Sequence, residues 1–159
     1  MPTKTELKKI EKPVAKGTDS GIIKSEATKE EIQVHSVGKI DRDIYKCITE
    51  DIVTDEVIIT DERVAHIKER HPSDYEKYYG YLKEIVEHPD YIIEANKLNT
   101  ALILKEIIES KEKQFKTVLR LTTSTDNPDF KNSIITFMKI NEKEWRRLIK
   151  NKKILYKQE

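Results

Sequence analysis

A single cysteine, Cys47, stands in the whole chain, so no internal disulfide framework holds it and a reducing cytoplasm suits it. Glycine is also scarce, with four in 159 residues. The P-loop, GxGxxG, GxSxG and HExxH patterns are all absent. Little glycine is left to build phosphate-cradling loops, which disfavours nucleoside-triphosphate and dinucleotide chemistry. No apolar run approaches the roughly 18 residues that span a bilayer, and the lysine-bearing N-terminus has no continuous apolar stretch of a secretory signal. The chain therefore reads as soluble and cytoplasmic, with no membrane partner. Charge of one sign is lacking too. Lys and Arg total 30 against 29 for Asp and Glu, a formal net charge of +1, so any basic surface must come from local segregation.

What is present is one domain's worth of chain, long enough for a real core and too short for two comfortable ones. Residues 1 to about 40 mix Lys, Glu, Thr, Ser, Gly and Pro, with Pro2, Pro13, Gly17 and Gly21 and no sustained period. They read as a flexible or partner-ordered segment, and residues 41–159 as the folded domain. Ile44–Ile48 and Val57–Ile59 are short, β-branched or aromatic runs and read as strands. Thr60 or Asp61 then caps a helix through Val64 and Ile67 to Arg70, stopped by Pro72. Ser73 and Glu76 have the spacing of a capping box for a second helix, which ends at His88-Pro89.

Four period-2 segments follow, Tyr91–Glu94, Ala101–Ile108, Thr117–Thr123 and Ser133–Ile140, joined by polar linkers. Consecutive strands on short connections argue for an antiparallel meander. Asn141 caps a last helix carrying Trp145, Leu148 and Ile149, and Ile154-Leu155-Tyr156 add a final strand. The expected class is α+β, with helices on one face of an antiparallel sheet.

The densest polar constellation is Ala65-His66-Ile67-Lys68-Glu69-Arg70-His71-Pro72. Five residues at about 100° each set His66 and His71 roughly 140° apart around the helix, unlike a chelating i, i+4 pair, which disfavours zinc. Imidazole instead offers a proton acceptor or donor near neutral pH. A lone helical histidine is as a rule a surface or satisfied core residue. His66, one position from the apolar stripe of Val64 and Ile67, ranks above His71, which sits at the helix end. Lys105 and Arg120 interrupt apolar strand runs. By alternation Lys105 shares a face with Ala101 and Ile103, and Arg120 with Val118 and Thr122. Such cations either reach solvent or stabilise an anion such as phosphate. Among the strand hydroxyls, Thr136 between Ile135 and Phe137 is the foremost hydrogen-bond donor to a phosphate, most of the others reading as strand formers. Tyr156 and Trp145 read as packing residues.

The string from Ile59 to Pro72, then His88-Pro89-Asp90-Tyr91-Ile92, the strand with Lys105, Asn132–Thr136 and Leu155-Tyr156-Lys157 resemble the phage-associated branch of the barnase, EndoU, colicin and RelE superfamily of nuclease domains, over about residues 43 to 157. The resemblance implies a barnase/RelE-like fold: N-terminal helices packed on a four-stranded antiparallel sheet, with a C-terminal helix and a short terminal strand. It implies a metal-independent endoribonuclease that uses no cofactor and cleaves RNA through 2′-OH attack to a 2′,3′-cyclic phosphate. Carried onto this sequence, it implies His66 as acid/base, Arg70 or His71 as a second helix contribution, Lys105 and Arg120 as phosphate binders, and Thr136 as the late-strand hydroxyl. The expected partner is RNA, tRNA among its forms, with an antitoxin or a virion protein as a protein partner, in the host cytoplasm or the virion. The competing expectation is a non-catalytic phage factor that binds RNA, or a host or virion protein, on the same scaffold.

Overall fold

The computed structural model of the chain describes residues 33–109 and 112–159. Pro2, Pro13, Gly17, Gly21 and the rest of residues 1–32 lie outside the described residues, as does part of the Glu109–Lys113 linker. Seven strands form one sheet in the order β1-β2-β6-β5-β4-β3-β7. They are β1 Val34–Lys39, β2 Glu56–Thr60, β3 Tyr91–Glu94, β4 Thr100–Ile108, β5 Glu112–Arg120, β6 Asn132–Ile140 and β7 Ile154–Lys157. The helices are α1 Arg42–Tyr45, α2 Asp61–Arg70, α3 Asp74–Tyr78, α4 Leu82–Glu87 and α5 Glu142–Asn151, with a 3-10 turn over Tyr79–Tyr81.

This architecture corrects the expected class. The sheet has seven strands and is mixed, because β2 runs parallel to β6 while every other pairing is antiparallel. Two strands precede α2, so helices do not come first. The meander β3-β4-β5-β6 forms only the middle of the sheet. The parallel joint is short, Val57↔Asn132 and Ile58↔Ser133, and the fully buried Asn132 side chain strengthens it. Its amide donates to the carbonyls of Thr54 at 2.8 Å and Glu56 at 3.0 Å and accepts from the Thr122 N–H at 2.8 Å. A long-range contact of this kind leaves no local period in the sequence.

A second correction concerns Ile44–Ile48, which holds the end of a short helix and a turn. The Asp41 carboxylate accepts from the Asp43 N–H at 2.9 Å and caps α1. Tyr45 is then fully buried with its hydroxyl donating to the Val86 carbonyl at 2.7 Å. One buried anchor and one cap outweigh the strand preference of so short a run. The Thr60 hydroxyl caps α2 by accepting from the Arg63 N–H at 3.2 Å, as the sequence indicates. Ser73 makes no side-chain cap and lies at φ 74°, in the left-handed region, so no capping box forms there.

Helices cover both faces, not one. Ile67 of α2, Tyr45 of α1, and Leu82, Ile85 and Val86 of α4 pack with Ile103, Phe115, Leu119 and Phe137 into the main core. On the opposite face α5 presses Leu148, Trp145 and Ile149 against Ile93, Leu104 and Ile140. Gly38 leaves room for the Glu87 side chain, since a Cβ there would stand 2.7 Å from its carboxylate, which accepts from the Lys39 N–H at 3.0 Å. In register on the α5 side lie the rows Thr100↔Arg120↔Ser133↔Ile58 and Leu102↔Val118↔Thr136. Arg120, Ser133 and Thr136 stay partly accessible, and the open stretch of this face holds the site.

Candidate active site

The floor of the site follows from strand alternation: Thr100, Leu102, Val118, Arg120 and Thr136 point to the same side of three paired strands. They line a groove of about 590 Å³. Three further cations come from segments far apart in sequence. Arg63 projects from the first turn of α2, Lys97 from the β3–β4 loop, and Lys152 from the residue that ends α5. Glu94 is the one carboxylate in the lining, so four cations against one anion give this groove a positive sign that the net charge of the chain conceals. The loop bearing Lys97 turns through Asn99 at φ 56°, a backbone region asparagine tolerates, and the Asn99 carbonyl accepts from the Leu121 N–H at 2.8 Å.

Arg120 is held in place. Its guanidinium donates to both oxygens of Asp126, at 3.0 and 3.2 Å, and to the Leu121 carbonyl. Three of its five N–H donors are engaged in this way, leaving two for another acceptor. Asp126 also accepts from the Thr123 N–H at 2.8 Å and the Thr123 hydroxyl at 3.2 Å. The Thr123 backbone N–H first, and then Arg120, hold its carboxyl below the usual carboxylate range. The side chain of Arg120 is thus presented to the groove in one orientation rather than as a free rotor.

Of the residues singled out from the sequence, the structure brings Arg120 and Thr136 into one groove. His66 and Arg70 lie on α2 with Arg63. At about 100° per residue, His66 falls some 60° from Arg63 and Arg70 some 20° from it. All three therefore share the flank of the helix that turns Arg63 to the groove. His66 is half-buried and Arg70 exposed. His71 sits at the helix terminus, where its backbone N–H donates to the Ile67 carbonyl at 2.7 Å, and it lies off that flank.

Lys105 is not brought to this group. It shares the opposite face with Ala101 and Ile103, its side chain 8% exposed, with its ammonium 3.3 Å from Asp90 and 3.7 Å from Glu84. Its anion is supplied by the protein itself. His35 likewise pairs with Asp61 at 2.5 Å and lies in register with Ile59 on the main-core face. The sequence reading passed over Arg63, Lys97 and Lys152. The spacing of Arg63, His66 and Arg70 could have revealed the first; the two lysines carry no local signal. Among the described residues no group of three or more His, Cys, Asp or Glu is placed to hold a metal ion.

The family model for the phage-Barnase-EndoU-ColicinE5/D-RelE like nuclease2 matches residues 33–157. The chain belongs to this family. The match runs from the residue before β1 to the last residue of β7, so the whole sheet and the groove on it lie within the nuclease domain of phage type. No curated protein and no solved structure matches the chain. Among the described residues of this family member no helix is long and apolar enough to cross a membrane.

Proposed function

We propose that this family member is an endoribonuclease that works without a metal, cutting RNA in the groove on the open sheet face, which Arg63 of α2 reaches. The supporting observation is the convergence of Arg63, Lys97, Arg120 and Lys152 around Thr136, beside the helix flank of His66. Four positive side chains around a hydroxyl-bearing floor suit a phosphodiester, whose charge rises as phosphorus becomes pentacoordinate. In the reaction, the 2′-oxygen bonds to the adjacent phosphorus and the bond from phosphorus to the 5′-oxygen breaks. His66 accepts the proton from the 2′-OH, and water in the open groove supplies one to the departing 5′-oxygen. Arg120 and Arg63 hold the non-bridging oxygens, Thr136 donates to one of them, and Arg70 extends the cationic flank along the strand. The products are a 2′,3′-cyclic phosphate and a 5′-hydroxyl. Such an activity fits a toxin of phage or mobile-element origin, with tRNA as one substrate and an antitoxin as a protein partner.

A second reading has its own support. Arg120 is already paired with Asp126, and Lys105 with Asp90, so two cations suited to phosphate are partly neutralised inside the protein. That arrangement suits a factor that holds RNA, or a host or virion protein, without cutting. Purified protein and its His66→Ala variant, incubated with total tRNA and a labelled single-stranded RNA in EDTA, separate the two. Cleavage by the wild type, ending in cyclic phosphate and lost by at least about 100-fold in a folded His66→Ala variant, supports the nuclease. Salt-sensitive binding with intact RNA supports the non-catalytic factor.

A further inference from the structure

Beside the groove, on the same sheet face, lies a second hollow of about 450 Å³, within the size range of small-ligand sites. Arg120 lines both, and Ser133, its partner on β6, lines the hollow. We infer that this hollow is a nucleobase subsite, in which a base of the RNA stacks on Phe130 while its phosphate lies at Arg120. The inference deepens the reading of the groove as an RNA site and rests on it.

The hollow has the character of a base site rather than of a second phosphate site. Phe130 is 58% exposed and Val34 53%, and with Ile58 they make its apolar lining. An exposed aromatic ring offers a stacking surface to any base. Phe130 does not dangle: its N–H donates to the Asn127 carbonyl at 2.9 Å, and the Asp129 N–H donates to the Asn127 side chain at 2.8 Å. The one cation added here, Lys131, is paired with Glu56 at 3.2 Å. Asp129 contributes a carboxylate that makes no hydrogen bond or ion pair among the described residues. A free carboxylate repels phosphate and accepts from an amino group on a base edge. The hollow should therefore favour bases with an exocyclic amine, adenine and cytosine among them, over uracil, which presents carbonyl oxygens on either side of its one N–H.

The test uses the full chain carrying His66→Ala, labelled with ¹⁵N and titrated separately with 5′-AMP, 5′-CMP, 5′-UMP and inorganic phosphate. The expected result is that AMP and CMP shift the amides of Asp129, Phe130, Lys131 and Ser133, whereas phosphate alone shifts groove amides such as Lys97 and Thr136. Phe130→Ala should weaken AMP roughly tenfold, Phe130→Leu should recover only part of that, and Asp129→Asn should remove the preference over UMP. Both positions are exposed, so the variants should fold. Nucleotide shifts confined to the groove, or affinity unchanged by Phe130→Ala, would overturn the base subsite. The two readings fail separately. Binding in the hollow by a protein that leaves RNA intact keeps the subsite and removes the cleavage; RNA cleavage with a KM indifferent to Phe130 does the reverse.

Discussion

Two single side chains show how polarity is used in the interior. Asn132 is fully buried and satisfies three backbone groups of two segments, the run into β2 and the residues after β5. Asn132→Ala would leave two carbonyls and one N–H without partners and should lower stability by about 2–4 kcal/mol, measured by urea unfolding. Asn132→Asp keeps the acceptor and loses both donors, so it should be no milder. Lys105 is a buried ammonium against Asp90 and Glu84, and Asp90 also accepts from the Glu106 N–H at 2.8 Å. Removing the ammonium leaves Asp90 and Glu84 unpaired but partly hydrated, so Lys105→Met should cost about 1–2 kcal/mol, less than breaking a fully buried pair. Cleavage by the folded fraction should stay within a few-fold of wild type. A drop of a hundredfold with stability intact would instead place Lys105 at the phosphate.

At the scale of elements, α5 carries its own electrostatic signature. Asn141 caps it by accepting from the Glu144 N–H at 2.8 Å. Glu142 and Glu144 stand in the first turn, where the helix dipole favours negative charge. Arg146 first and then Gln114 hold the Glu142 carboxyl below its ordinary value, and Arg147 does the same for Glu144. A carboxylate whose folded pKa is depressed contributes stability above its unfolded pKa, near 4.3, and loses it as pH falls through the lower folded value. The thermal midpoint should therefore hold from pH 7 to about 5 and fall below that. A Glu142→Gln, Glu144→Gln double variant should show a shallower acid limb in thermal scans. Equal slopes for the two proteins would mean these pairs are solvent-screened and contribute nothing measurable.

For the molecule as a whole, balanced charge hides a groove whose lining is net positive. If the groove binds RNA, the salt dependence should report the local cations and not the net charge. With Arg63, Lys97 and Lys152 meeting three phosphates, the logarithm of affinity should fall against the logarithm of salt concentration with a slope of about −2 for single-stranded RNA. The His66→Ala variant and a labelled oligonucleotide provide the measurement. A slope near zero would take the groove out of the RNA path.

The strands from Val57 onward and the helices α2 and α5 were legible because their apolar residues repeat at 2 or 3.6 and their caps, Thr60 and Asn141, lie next to them in sequence, whereas the single helix expected from Ser73 to His88 is broken into α3, a 3-10 turn and α4. Alternation likewise assigned Lys105 and Arg120 to the right neighbours on their strands. Alternation shows which residues share a face but not what covers it, so the opposite fates of these two cations were invisible. Lys105 met carboxylates from α4 and the β3 approach and is buried against them, while Arg120, held by Asp126, still faces an open groove. The class failed for a related reason. The β2–β6 parallel pairing joins residues about 75 apart through two ladder positions and one asparagine, and the placement of α5 on the far face depends on which face β4 leaves bare. Amino-acid order alone thus determined most of the strands, the capped helices α2 and α5, the family and the chemistry-bearing types. Strand order, the faces the helices cover and the gathering of Arg63, Lys97, Arg120 and Lys152 arose only in tertiary structure, because each depends on contacts between segments that carry no record of one another in their own periodicity.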